Sequence, residues 1–282
     1  MTTLVTGATG RVGSRFVPRL LRAGEPVRIL ARDAARAEPL QRLGAEVVLG
    51  DLRDGGTVDD AVKGADAVVH LGAAFLEESE GEAAAVNHGA TVALAEAALR
   101  GGAARFVFAG TTLVYGVGRP DRPSREDDEP TPPPWPYPTT KIAAERDLRA
   151  LHESDRLPLR VMRLAFVYGE GDPHLAESLE WAREWPPHKR LQTVHHADVA
   201  QALLRALRAD GADGEIFNVA DDAPVTAYEL MELNGERFPD GAADRPLDHP
   251  WESIADTAKI RRRLGYRPIH PTVASAREVG AL

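Results

Sequence analysis

Thr6-Gly7-Ala8-Thr9-Gly10-Arg11-Val12-Gly13 lies between a short β-branched run, Leu4-Val5-Thr6, and a segment of helical composition at 14–23. Glycines at 7, 10 and 13 allow a tight turn, close approach of the backbone to a pyrophosphate, and close packing of helix on strand. The helix N-terminus that follows turns unpaired N–H groups toward the phosphates. A glycine triplet alone is also met in turns that bind nothing. Set between a strand and a helix, it predicts a dinucleotide-binding βαβ unit. Gly7, Thr9, Gly10, Arg11, Val12 and Gly13 are then the first candidate cofactor contacts.

Outward from this turn the chain alternates. Strand-like runs at 4–6, 27–30, 45–49, 67–71, 106–108 and 159–163 are separated by helix-like segments at 14–23, 34–43, 57–63, 83–100 and 138–151. Strands separated by helices predict a parallel, doubly wound sheet. The runs are apolar throughout, as in strands covered on both faces. The fold class expected is α/β, a doubly wound parallel Rossmann sheet with a small C-terminal substrate lobe. Past Gly169 prolines, tryptophans and short segments replace the alternation. Residues 1–169 are expected to form the dinucleotide-binding domain and 170–282 mostly the lobe, with about 194–220 returning to the sheet. There, helices are expected at 199–208, 228–233 and 257–264, the last ended by Gly265, and a strand at 215–219. The proline-rich run 130–138 reads as a stiff surface connector, with Tyr137 the exception.

Length and composition narrow the function. The 282 residues suit one or two domains. Hydrophobic residues at 43% and charged residues at 27% argue against a disordered or fibrous chain. A net charge of −9 argues against a nucleic-acid partner. The absence of cysteine excludes disulfides, thiolate metal sites and a cysteine nucleophile. The start has no leader-like pattern, and no apolar run reaches the ~18–20 residues of a membrane span. The expectation is a cytoplasmic protein with no membrane partner.

The end of the second strand bears on the cofactor. In such units an acidic residue about 20 residues past the turn selects NAD, and an arginine suits the 2′-phosphate of NADP. The chain reads Leu30-Ala31-Arg32-Asp33, with Arg36 a turn later. Arg32 comes first, so NADP is favoured; Asp33 keeps NAD as the alternative. After the third strand, Asp51 could accept from the adenine amino group, with Leu52 against the ring. Asp51 could equally cap a helix.

Tyr137-Pro138-Thr139-Thr140-Lys141 places a phenol and an ammonium at i and i+4, on one helix face. A nearby ammonium favours the phenolate and is expected to lower the tyrosine pKa, making Tyr137 a usable general acid or base. Alone, Tyr-x-x-x-Lys is more often surface decoration. Upstream, however, Phe106-Val107-Phe108-Ala109-Gly110-Thr111-Thr112 delivers the hydroxyls of Thr111 and Thr112 to the carboxyl edge of the sheet, where ligands bind in open α/β sheets.

Together with the opening glycine turn, these residues resemble the extended short-chain dehydrogenase/reductase family, the NAD(P)-dependent epimerase/dehydratase group. The resemblance covers nearly the whole chain. Val69-His70-Leu71-Gly72-Ala73-Ala74 is similar to the family's fourth-strand motif, which implies Leu71, Gly72 and Ala73 beside the cofactor. Val86-Asn87-His88-Gly89-Ala90-Thr91, the acidic loop from Glu126 to Pro130, Val194-His195-His196-Ala197-Asp198-Val199-Ala200, Phe217-Asn218-Val219-Ala220 and Leu264-Gly265-Tyr266-Arg267-Pro268 follow in family order. The resemblance implies that Thr111 bonds the substrate oxygen and that Tyr137 exchanges a proton with it. It further implies that Lys141 tunes Tyr137 and holds the nicotinamide ribose, with Asn87 in support. It also implies a homodimer.

Three departures bear on the substrate. Sugar-nucleotide members carry an asparagine where this chain has Phe166 and an arginine where it has Leu191. Only 25 residues lie between Gly169 and His195, too few for their basic lid. A buried diphosphate without donors is expensive. Phe166 and Trp181 are instead candidates to line an apolar substrate pocket, although Trp181 could serve lobe packing alone. His195, His196 and Asp198 fit no metal motif, and Asp198 reads as structural or as a helix N-cap. The expected activity is hydride transfer between nicotinamide and a small carbonyl or secondary alcohol. An NDP-sugar epimerase or dehydratase is the alternative. A non-catalytic NAD(P)H sensor would have no need of Thr111, Tyr137 and Lys141.

Overall fold

The computed structural model describes residues 1–75 and 79–282. Its centre is a sheet of seven parallel strands. β1 (Thr3–Thr6) pairs with β2 (Val27–Ala31) on one side, and β2 with β3 (Glu46–Leu49). On the other side β1 pairs with β4 (Ala67–His70), followed outward by β5 (Arg105–Thr111), β6 (Leu159–Leu164) and β10 (Glu215–Val219). The order reverses between β1 and β4, and the crevice above that switch point is where such sheets hold ligands. β1, β4 and β6 are buried at every residue, as apolar runs between two helix layers must be. The third strand departs from that reading. β3 is the sheet's edge, with Glu46 and Leu49 exposed, because no further strand covers it.

Helices fill both faces. α1 (Gly13–Arg22), α2 (Ala34–Arg42), α9 (His196–Arg208) and α11 (Ala258–Leu264) cover one, through Phe16, Leu20, Leu40, Leu203 and Ile260. α3 (Gly55–Val62), α5 (Ala90–Arg100) and α6 (Pro136–Asp155) cover the other, through Val58, Leu94, Ala98, Ala144 and Leu148. The helix expected at 83–100 is not continuous. α4 (Glu80–Ala84) runs into a π turn at Ala85–Gly89 before α5 begins. Gly265 ends α11 in the left-handed conformation, as a glycine C-cap does.

A smaller cluster stands above the carboxyl edge. β7 (Phe166–Tyr168) pairs with β9 (Thr193–His195), and β8 (Arg190–Leu191) with β11 (Val225–Thr226). α7 (His174–Glu177), α8 (Leu179–Ala182), α10 (Ala227–Leu233) and α12 (Val273–Glu278) complete it. Tyr168, Leu175, Val225, Leu230 and Val273 form its apolar centre. Among the described residues no helix is long and apolar enough to cross a membrane.

Candidate active site

The glycine turn opens directly over the switch point. Gly7 has φ +70, and a Cβ there would collide with the backbone nitrogen of Gly72, just past β4. A Cβ on Gly13 would strike the carbonyl of Gly7. These two glycines let β1, β4 and α1 close on one another. Gly10 differs, since a Cβ there would meet only the Gly7 oxygen, at 3.2 Å, and otherwise project into open space. α1 has no side-chain cap and no acidic residue in its first turn. The N–H groups of Arg11, Val12 and Gly13 find no acceptor among the described residues. A cradle open at Gly10 and lined by three free donors fits a pyrophosphate. Beneath it His70 bridges the hydroxyls of Thr6 (2.6 Å) and Thr91 (2.8 Å), and burial pushes its pKa down to about 3.

Arg11 turns away from this cradle. Its guanidinium pairs with Asp172 (3.0 Å) and Glu177 (3.0 Å), while Arg15 and Arg19, one and two turns on, hold the carbonyl and carboxylate of Glu170. The side chain expected at a phosphate instead fastens the turn to the segment before α7. His196 completes that fastening through Asp172 (2.8 Å).

At the end of β2 Arg32 is exposed and makes no hydrogen bond or close ion pair among the described residues, although its charge helps to lower the Asp51 pKa. The Asp33 carboxylate caps α2, accepting from the N–H groups of Ala35 (2.8 Å) and Arg36 (3.2 Å). Arg36 reaches back to the Thr9 carbonyl (2.8 Å). Asp51 is paired with Arg53, which lowers its pKa to about 2, and Leu52 lies half-buried next to it. The helix-cap alternative for Asp51 is overturned, because Asp54 caps α3. Leu71, Gly72 and Ala73 follow β4 across from Gly7.

Thr111, Tyr137 and Lys141 converge at the ends of β5 and α6. The Thr111 side chain bonds the Tyr137 phenol and receives the N–H of Leu113 (3.2 Å), opening a short 3₁₀ turn at Thr112–Tyr115 in which Thr112 is buried. Burial pushes the Tyr137 pKa up to about 12, against the expected lowering. Thr111, not Lys141, pulls it down. Lys141 is 2% exposed, and loss of water brings its pKa down to about 7 despite Glu145 one turn away. Its ammonium lies 4.1 Å from the centre of the Phe108 ring, a cation–π contact. It makes no hydrogen bond among the described residues, so its donors remain available to a ligand.

Asn87 sits behind this group, in the π turn. Its amide accepts from the Ala74 N–H (2.7 Å) and donates to the Ala74 carbonyl (2.9 Å) and the Thr140 hydroxyl (3.1 Å). It thus joins the loop after β4 to the residue next to Lys141. π turns recur at functional sites because the extra residue re-aims a side chain. Under α6 the buried Glu145–Arg163 pair (2.6 Å) continues through the Tyr115 hydroxyl to Asn218, whose N–H donates to the Glu126 carboxylate of the acidic loop. Sequence reasoning did not single out Glu145; its place one helical turn beyond Lys141 is the signal that could have found it.

The substrate side is aromatic. Phe75 stands edge-on to Tyr137 (4.6 Å) and to His174 (6.2 Å), His174 stacks on Phe166 (3.9 Å), and Phe166 meets Trp181 (6.0 Å) and then Trp185. Phe166 is thus joined to the Tyr137 ring through His174 and Phe75, and Trp181 is one ring further out. Phe75 and His174 carry no sequence signal, since they meet only when the lobe folds over the sheet. Cations that could hold a diphosphate are engaged elsewhere. Lys189 pairs with Glu252, Arg190 bonds the Pro250 carbonyl over Trp251, and Arg245 bonds the carbonyls of Arg183 and Trp185. Asp198 does not cap α9, a role His195 fills. It binds the N–H groups of Ile269 and His270.

Comparison with known proteins agrees with this geometry. The model of the NAD dependent epimerase/dehydratase family matches residues 3–185. A dTDP-glucose 4,6-dehydratase of Streptomyces niveus is 31% identical, covering 95% of this chain and 88% of that protein. A 4-hydroxy-2-methyl-3-oxo-4-farnesyl-3,4-dihydroquinoline-1-oxide ketoreductase of Stigmatella aurantiaca is 30% identical over 83% of this chain and 72% of its own. A short-chain dehydrogenase/reductase superfamily protein of Agrobacterium tumefaciens, solved with bound NAD, superposes with a TM-score of 0.79 at 26% identity, covering 95% and 92% of the two chains. A family model over residues 3–185 and a relative 31% identical along 95% of the chain make the protein a member of the NAD-dependent epimerase/dehydratase family.

Proposed function

We propose that this protein moves hydride between nicotinamide and a small, partly apolar carbonyl or secondary-alcohol substrate, with Tyr137 as general acid and base. The observation that carries the reading is the meeting of Thr111, Tyr137 and Lys141 at one sheet edge. Bound there, the dinucleotide supplies or accepts the hydride. In the reducing direction the substrate oxygen lies between the Thr111 and Tyr137 hydroxyls. Tyr137, held protonated by burial, gives its proton to that oxygen as the carbonyl carbon becomes a carbinol carbon. Lys141 in its ammonium form stabilises the phenolate left behind and holds a ribose hydroxyl. Oxidation runs the same transfers backward. Arg32, exposed at the end of β2, favours the 2′-phosphate of NADP. The engaged cations and Phe166 speak for a substrate without a nucleotide tail, and the ketoreductase relative is one precedent for such a substrate.

The test is Tyr137→Phe. Turnover is expected to fall by ~10²–10⁴ with cofactor affinity retained, the range for loss of a general acid–base group. Turnover within about twofold of wild type would remove Tyr137 from the chemistry. The dTDP-glucose dehydratase relative supports a second reading, an NDP-sugar epimerase or dehydratase in which the hydride returns to the substrate. Micromolar binding of dTDP- or UDP-sugars to the cofactor-loaded protein would put that reading first.

A further inference from the structure

The aromatic row from Tyr137 to Trp185 runs along the rim of the lobe's apolar centre, against which Phe166 and Trp185 pack. Phe75 is 45% and Trp181 37% exposed, and Phe166 and His174 are half-buried. One ring acceptor in the row meets no donor among the described residues. His174 Nδ1 lies 3.1 Å from the Val167 carbonyl, which can only accept. Nδ1 therefore carries the proton, and Nε2 keeps a lone pair. Burial holds the His174 pKa below the ordinary histidine range, so the ring is neutral near pH 7. Nε2 meets no donor among the described residues and is not sealed from solvent.

We infer that the substrate is a flat ring compound that presents its reacting carbonyl or carbinol to Tyr137 and donates a hydroxyl or N–H to His174 Nε2. The inference rests on the oxidoreductase reading for its reacting end and on the aromatic row for the rest. Rings that meet edge to face leave slots that a further ring fills with stacking on one side and edge contact on the other. An apolar ligand without a donor would strip water from Nε2 and leave it unpaired, which binding disfavours. A phosphate or a carboxylate would bring only lone pairs to a lone pair. Phe75 touches both the phenol ring and the imidazole, a span that suits a compound of one or two rings between the two recognised groups.

Isothermal titration of the protein loaded with reduced cofactor tests this. The probes are 1-tetralone and its hydroxy derivatives at each ring position, with cyclohexanone and UDP-glucose for comparison. At least one hydroxytetralone is expected to bind about tenfold more tightly than 1-tetralone, the worth of one hydrogen bond, and both more tightly than the comparison compounds. His174→Phe keeps the ring and removes the acceptor. It is expected to bring that hydroxytetralone down to the affinity of 1-tetralone. His174→Gln, which restores an acceptor, is expected to recover part of the gap. No gap in the wild type, a gap that survives His174→Phe, or tighter binding of cyclohexanone or UDP-glucose overturns the inference. Cofactor oxidation is read in the same samples. Discriminating binding without turnover would sink the oxidoreductase reading and leave ring recognition standing; turnover without discrimination would do the reverse.

Discussion

Arg32 and Asp33 are neighbours with different tasks. The Asp33 carboxylate is occupied with two N–H groups of α2, while Arg32 is exposed and acts on Asp51 only through its charge. Arg32→Ala is expected to reduce the preference for the 2′-phosphorylated cofactor by about tenfold, as loss of a charge-assisted bond at an exposed site would. Titration of both dinucleotides against wild type and variant measures it. A ratio that stays the same would mean that Arg32 is solvated charge only. Asp33→Ala is different in kind, since it removes a helix cap. The residues proposed to touch the chemistry stood out in the sequence because each sits beside a backbone signal, a glycine turn, a strand end or a proline at a helix start. Among the described residues Arg11 keeps a free N–H in the glycine turn, but where its side chain goes was not legible, because its partners Asp172 and Glu177 are far off in the chain.

At the scale of the element, the π turn at Ala85–Gly89 lies between two ordinary helical stretches of good helix formers. Nothing in that composition announces it. It exists because Asn87 is held on both sides, by Ala74 after β4 and by Thr140 on α6. Asn87→Ala leaves three buried groups without that partner. The expected outcome is a loss of about 1–3 kcal/mol of stability together with lower kcat, because Thr140 adjoins Lys141. Urea unfolding and steady-state rates check the two effects. Unchanged kcat with lowered stability would reduce Asn87 to packing. The strands of the central sheet and most helices around them were readable from apolar runs alternating with helical composition. The short lobe strands, such as β8 and β11, were not, because two-residue pairings are made by tertiary contact and have no periodicity to show.

For the molecule as a whole, acid is the condition to test. His70 and His196 are buried and neutral, with pKa values held down to about 3 and about 4. Below pH 6.5 the unfolded chain protonates these histidines while the folded protein resists, so stability falls as pH drops from 6.5 toward 4. Each unit in that window removes roughly 1.4 kcal/mol per histidine. Asp172, whose pKa is lowered by its partners, adds a loss in the same direction at still lower pH. Urea titrations at about pH 7 and about pH 5 read the difference; equal midpoints would show that both rings protonate within the fold. The π turn also governs which changes of chain length the molecule can absorb. An α-helix advances about 100° per residue. The π turn holds one residue more than an α turn, so deleting a residue between 85 and 89 would restore continuous α-helix and keep Leu94 and Ala98 facing the core, while undoing the geometry that aims Asn87 at Ala74 and Thr140. The same deletion inside α5 would instead turn everything beyond it by about 100°. Loss of one residue at the π turn is thus a change that the fold absorbs and the candidate site does not.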